Sequence, residues 1–87
     1  MKHLIIRHRV ADFAKWKKCY KAHAAARQSA GLKDLHLLRS IDDPNEVVLL
    51  FAATSIAKAK ALISSDDMRA TMKKAGVIGK ADFLLLK

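Results

Sequence analysis

The side chains of widest chemical range in this sequence are its four histidines, His3, His8, His23 and His36, and its single cysteine, Cys19. A metal site needs ligands whose spacing makes them converge. His3 and His8 are five apart on one strand and so face opposite ways, while His23 and His36 fall on different elements, so no metal is expected. A lone cysteine leaves no paired-cysteine metal or redox motif, and neither a glycine-rich phosphate loop nor a GxSxG elbow occurs. Proton transfer is what remains, because imidazole titrates near neutrality. His23 and Arg27 recur at helical spacing with Phe13, Trp16 and Tyr20, and His8 alternates with Leu4, Ile6 and Val10. If the more apolar side of that strand meets the helix, His8 and His23 enter one layer as candidate proton-transfer groups. Trp16, Tyr20 and Arg27 would then line a ligand pocket. The alternative is a satisfied core histidine at position 8, with His23 and Arg27 reaching along the helix edge and the rings acting as core anchors.

The other strand face carries His3, Ile5, Arg7 and Arg9, with Arg39 on the neighbouring hairpin. These arginines either bind an anionic ligand, pair with acids across a dimer, or form a solvated rim; Arg39 is therefore a further candidate ligand-binding residue.

The elements that must position these groups follow from pattern. His3 to Val10 reads as a strand, and Asp12 is placed to cap a helix that Gly31 closes. Leu35–Ile41 and Glu46–Ala53 read as strands joined by Asp42-Asp43-Pro44-Asn45, whose residue types serve a turn rather than acid–base work. Ser55–Ser64 reads as a helix with Ile56, Ala59, Leu62 and Ile63 inward. Ser64 to Asp67 resets the caps, and Met68, Met72 and Ala75 continue an apolar stripe as ordinary helix packing. Gly76 and Gly79 bracket a loop before a last strand, Ala81–Lys87. The order βαββαβ, with the second α broken in two, implies an α+β ferredoxin-like sandwich: a four-stranded antiparallel sheet with helices on one face.

In Val47–Phe51 and Phe83–Leu86 both sides of the strand are apolar, whereas a sheet covered only by its own helices should be polar on its other side. A hydrophobic fraction of 52% in 87 residues points the same way, to one domain spanning residues 1–87 that shares its open sheet face with a second copy. No apolar run reaches membrane-spanning length, the start MKHLIIRHRV returns to charge too soon for a signal peptide, and nothing implies export. The expectation is a cytoplasmic homodimer with no membrane partner. Of the 17 basic residues behind the net charge of +9, six (Lys15, Lys17, Lys18, Lys21, Arg27 and Lys33) lie in or just beyond one helix, which reads as a solvated face. An RNA-recognition fold shares the element order but needs exposed aromatics on its central strands. HLIIRHRV and EVVLLFAA offer only Phe51, so no nucleic-acid partner is expected.

The run LHLLRSIDDPNEVVLLFAAT, followed by a helix ending in SSDDMRATMKKAG, resembles the dimeric α/β-barrel superfamily, and within it the small proteins related to antibiotic-biosynthesis monooxygenases. The pattern covers most of the chain. It implies dimerisation as an α/β barrel and a ligand pocket between sheet and helices. It spans monooxygenases, haem-degrading enzymes, isomerases and cyclases, so it implies no single activity. The tryptophan usual at the end of the third strand is replaced by Ala53 or Thr54. The histidine and asparagine of haem-degrading members have no counterparts in Met68–Lys74 or at Arg7-His8. Two readings follow. One is a monooxygenase- or cyclase-like enzyme that uses no cofactor and acts on a small hydrophobic or aromatic substrate. The other is a non-catalytic dimeric module that binds a ligand or partner.

Overall fold

In the computed structural model, which describes residues 2–87, strand β1 (Lys2–Val10) alternates strictly between two environments. Leu4, Ile6, His8 and Val10 are buried, and Arg7 and Arg9 are exposed. The buried set meets the helices. Helix α1 (Phe13–Ala22) begins where the extended Asp12 accepts the Lys15 amide on its carboxylate at 3.2 Å.

That helix does not continue to Gly31. It ends at His23, whose backbone N–H reaches the carbonyls of both Cys19 and Tyr20, at 3.1 and 3.2 Å. The last turn tightens, His23 leaves helical geometry, and a separate α2 (Ala24–Ser29) follows. Gly31, with φ of 75°, then reverses the chain, and its carbonyl accepts both the amide and the hydroxyl of Thr54. Strand β2 (Leu32–Arg39) starts at once, three residues earlier than expected, with a register shift between Asp34 and His36. Ile41 stands outside it, fully exposed in the hairpin loop.

The Asp42–Asn45 segment is a turn. The Ser40 hydroxyl accepts the amides of Asp42 and Asp43, the Asp43 carboxylate accepts the Asn45 amide, and the Glu46 amide closes onto the Asp43 carbonyl. Strand β3 (Glu46–Ala53) follows, then α3 (Ile56–Ile63) and α4 (Asp66–Lys74), capped by the hydroxyls of Ser55 and Ser65. Strand β4 (Val77–Leu86) is longer than expected. Gly79 lies inside it, where a bulge in the β1–β4 pairing accommodates its φ of 71°.

All strand pairs are antiparallel, in the order β2-β3-β1-β4, which makes the ferredoxin-like α+β sandwich. Side chains from β1, β3 and the helices share one core around Leu4, Phe51, Val10 and Val47. The opposite sheet face carries Ile5, Val48 and Leu50, together with Leu38, Leu84 and Leu86, which are 55%, 53% and 44% exposed. Along its margin Arg7 pairs with Glu46 at 2.8 Å and Arg9 with Asp43 at 2.6 Å, so both arginines find their acids within the chain. Among the described residues no helix is long and apolar enough to cross a membrane.

Candidate functional site

Positions 13, 16 and 20 fall on one stripe of α1, and that spacing stacks their rings in a row. Phe13 and Trp16 lie 5.7 Å apart; Trp16 and Tyr20 are nearly parallel at 5.0 Å. A guanidinium closes each end of the row: Arg39 lies 3.8 Å over Phe13 and Arg27 lies 3.7 Å over Tyr20.

Arg27 is buried, and α2 delivers it to three acceptors. Its Nε and Nη2 donate to the two carboxylate oxygens of Asp34 at 3.3 and 3.2 Å, and Nη1 donates to the Tyr20 carbonyl at 2.6 Å. Burial raises the pKa of the Tyr20 phenol far above its ordinary value, with the nearby Arg27 charge opposing only in part. Tyr20 is therefore a neutral ring wall.

His8 sits beneath this row, with its ring 5.4 Å from that of Trp16. It is 4% exposed, and among the described residues neither Nδ1 nor Nε2 has a hydrogen-bond partner. Leaving such a group unpaired costs about 1–3 kcal/mol. Burial also lowers its pKa, because the imidazolium would have to be desolvated. At neutral pH His8 is thus an uncharged base with a free lone pair.

His8, Trp16, Tyr20, His23 and Arg27 line a single cavity between the sheet and the helices, whose remaining walls include Ile6, Leu49, Phe51, Met68 and Met72. The cavity measures about 50 Å³. An apolar cavity of about 150 Å³ takes up benzene, so this one, as it stands, admits a diatomic or a water but no aromatic ring.

His23 lies at the rim. Its Nε2 is 3.0 Å from Asp67 Oδ2 on α4, and because a carboxylate only accepts, Nε2 carries the proton and donates. His23 therefore ties the α1–α2 junction to the start of α4 across the cavity, with its Nε2 engaged. Arg39 does not line the cavity. Its register with Val47, and hence with His8, turns it to the helical side, away from Arg7 and Arg9. There Phe13 takes its guanidinium and its Nε donates to the Pro44 carbonyl at 2.7 Å. His3 and His36 lie on the other sheet face, in register with Ala52 and Leu50. Among the described residues no three His, Cys, Asp or Glu side chains converge as metal ligands do.

Several participants escaped the sequence reading. Asp34 orients Arg27, yet it begins the register shift in β2 with nothing local to mark it. Asp67 reads as a capping residue, and its link to His23 is 44 residues distant in the chain. Met68 and Met72 pack as expected of a helix stripe, but they are also cavity wall; their i, i+4 spacing around Thr71 is the one available signal.

The architecture is shared with known structures. No family model matches the chain, and no curated protein does. An antibiotic-biosynthesis-monooxygenase-like protein from Bordetella bronchiseptica superposes with a TM-score of 0.79 at 15% identity, over 99% of this chain and 94% of its own. A similar protein from Nitrosomonas europaea gives 0.65 at 18% identity, over 100% and 97%. SnoaB from Streptomyces nogalater, a cofactor-independent oxygenase, gives 0.74 at 17% identity, over 99% and 90%. The chain has the fold of the antibiotic-biosynthesis-monooxygenase-like proteins. At such identities the likeness carries the fold and no activity.

The state of His8 predicts how stability changes with pH. Its folded pKa lies below its unfolded value near 6.5, so below that pH the unfolded chain binds the extra proton and folding weakens as acid is added. Urea midpoints should fall between pH 7.5 and 5.5, and the fall should be smaller in His8→Leu. An identical fall in that variant would contradict the assignment.

Proposed function

We propose that this chain is a homodimeric, cofactor-independent enzyme of the monooxygenase- or cyclase-like kind, in which His8 is a general base acting on a small hydrophobic substrate. The observation that carries the reading is the buried His8 imidazole, unpartnered on both nitrogens and opening onto an apolar cavity. A core imidazole normally finds a partner, and a base held neutral by its surroundings is what proton abstraction requires. In the proposed step a His8 ring nitrogen takes a proton from an acidic C–H or O–H of the substrate. The bonding pair stays on the substrate as an enolate or phenolate, the imidazole becomes imidazolium, and a later donation returns the proton. Trp16 and Tyr20 would form the ring wall, Arg27 would hold Tyr20 in place, and His23 would act at the rim. Arg39, stacked on Phe13, would act through the ring row rather than on the ligand. The likeness to SnoaB supports the reading at the level of fold.

A second reading, a ligand-binding module without catalysis, draws support from the cavity's small size and from the His23–Asp67 closure across it. The two separate by experiment. Deuterium wash-in at the acidic carbon of a panel of β-dicarbonyl and phenolic compounds, followed by NMR, should be accelerated by the protein. His8→Gln should lower that acceleration by about 100-fold or more, the usual range for a lost general base. Wild-type exchange in His8→Gln would remove His8 from the mechanism, and no exchange with any compound would favour the binding module.

The dimer rests on the bare sheet face. Leu38, Leu84 and Leu86 stand exposed beside Ile5, Val48 and Leu50, an apolar surface that a second copy, related by a two-fold axis, would cover. Light scattering should give twice the chain mass, and Leu84→Lys should give the monomer. A monomeric wild-type chain at micromolar concentration would contradict the pairing.

A further inference from the structure

The His8 cavity is too small for the substrates the proposed chemistry would favour, and the structure contains the space that would enlarge it. On the outer side of α4, between that helix and β4, lies an open groove of about 370 Å³. Its floor is apolar, built from Ile63, Val77 and Phe83 together with Met68 and Met72. Among the described residues those two methionines alone also line the His8 cavity, so they form the partition between the spaces. A methionine side chain has three rotatable bonds and little rotamer preference, which makes such a partition easy to open. The groove alone falls within the ordinary range of small-molecule sites, about 300–1,000 Å³, and the inner cavity does not.

The charge around the groove specifies its occupant. Arg69, Lys73 and Lys80 line it, and among the described residues no carboxylate does. Arg69 touches Asp66 at 3.8 Å with both side chains largely in solvent, a pair of negligible strength. Among the described residues Lys73 and Lys80 enter no ion pair. An apolar floor rimmed by cations alone fits a molecule with an apolar body and one anionic head.

We infer that the ligand is an amphipathic organic anion, such as an apolar carboxylate. Its head is held at Arg69, Lys73 and Lys80, and its body passes between Met68 and Met72 to bring its far end to His8. This rests on His8 being the reactive group. It adds the substrate class and the route of entry.

Three probes of one shape test it: dodecanoate, dodecanol and dodecylammonium, titrated calorimetrically below their micelle concentrations. Dodecanoate should bind at least tenfold more tightly than the alcohol, and dodecylammonium most weakly. The triple variant Arg69→Gln, Lys73→Gln, Lys80→Gln should reduce the preference for the anion to less than threefold. That variant leaves the apolar sheet face intact, so a preference that survives it would place the probe elsewhere and overturn the inference. Dodecanoate should also shift the His8 imidazole resonances, and in Met72→Trp, which thickens the partition, it should bind without shifting them. Met68→Trp repeats that test should the first variant fail to fold. Equal affinity for anion and alcohol would overturn the charge assignment. Anion-selective binding with unmoved His8 resonances in the wild type would overturn the joined chamber. Neither result touches the exchange chemistry of His8, which neutral β-dicarbonyl compounds report separately.

Discussion

The structure turns on one unsatisfied group. β1 buries every second residue, and the third of those four positions, after Leu4 and Ile6, is His8 rather than another aliphatic. Val47 lies beside it on β3 and Trp16 against it on α1, so the imidazole loses water without gaining a partner. The cost of about 1–3 kcal/mol is a sizeable part of what a domain of this size has in reserve. The α1 ring row offsets it. Trp16, 3% exposed, covers the imidazole, and the flanking rings and guanidinium groups hold Trp16 in turn.

The ring row also explains why two arginines belong to the helical layer. A guanidinium stacked on a ring keeps one face dry while its edge donates hydrogen bonds. Arg27 does this with Asp34 and the Tyr20 carbonyl, and Arg39 does it with the Pro44 carbonyl. The α1–α2 break sits within the same layer: Arg27 of α2 lies over Tyr20 of α1, and His23 at the break reaches Asp67.

Much of this was legible in the sequence, for identifiable reasons. The alternation Leu4, Ile6, His8, Val10 has a period of two, which leaves only the choice of face, and the polar residues between them decide it. The stripe Phe13, Trp16, Tyr20 is equally explicit. What was not legible depends on contacts far apart in the chain. The helix break at His23 has no glycine or proline to announce it. The start of β2 depends on Gly31 turning immediately, with Thr54, just past the end of β3, holding its carbonyl. Arg39 lies on the helical face rather than with Arg7 and Arg9 because it pairs with Val47 across the hairpin, a register that depends on where the loop ends and the ladder begins. Gly79 looked like a loop because a bulge within a long edge strand uses the same residue.

The central claim is that His8 is a neutral, unpartnered base inside the protein. NMR of the chain with ¹⁵N-labelled histidine, titrated with acid, tests it most directly, with His8→Gln identifying the resonance. The account predicts that one of the four imidazoles titrates below the ordinary histidine value and, above that point, shows a mixture of tautomers, as a ring without a fixed hydrogen bond should. A His8 that titrates at or above the ordinary value, or is locked in one tautomer by a bond, would contradict it.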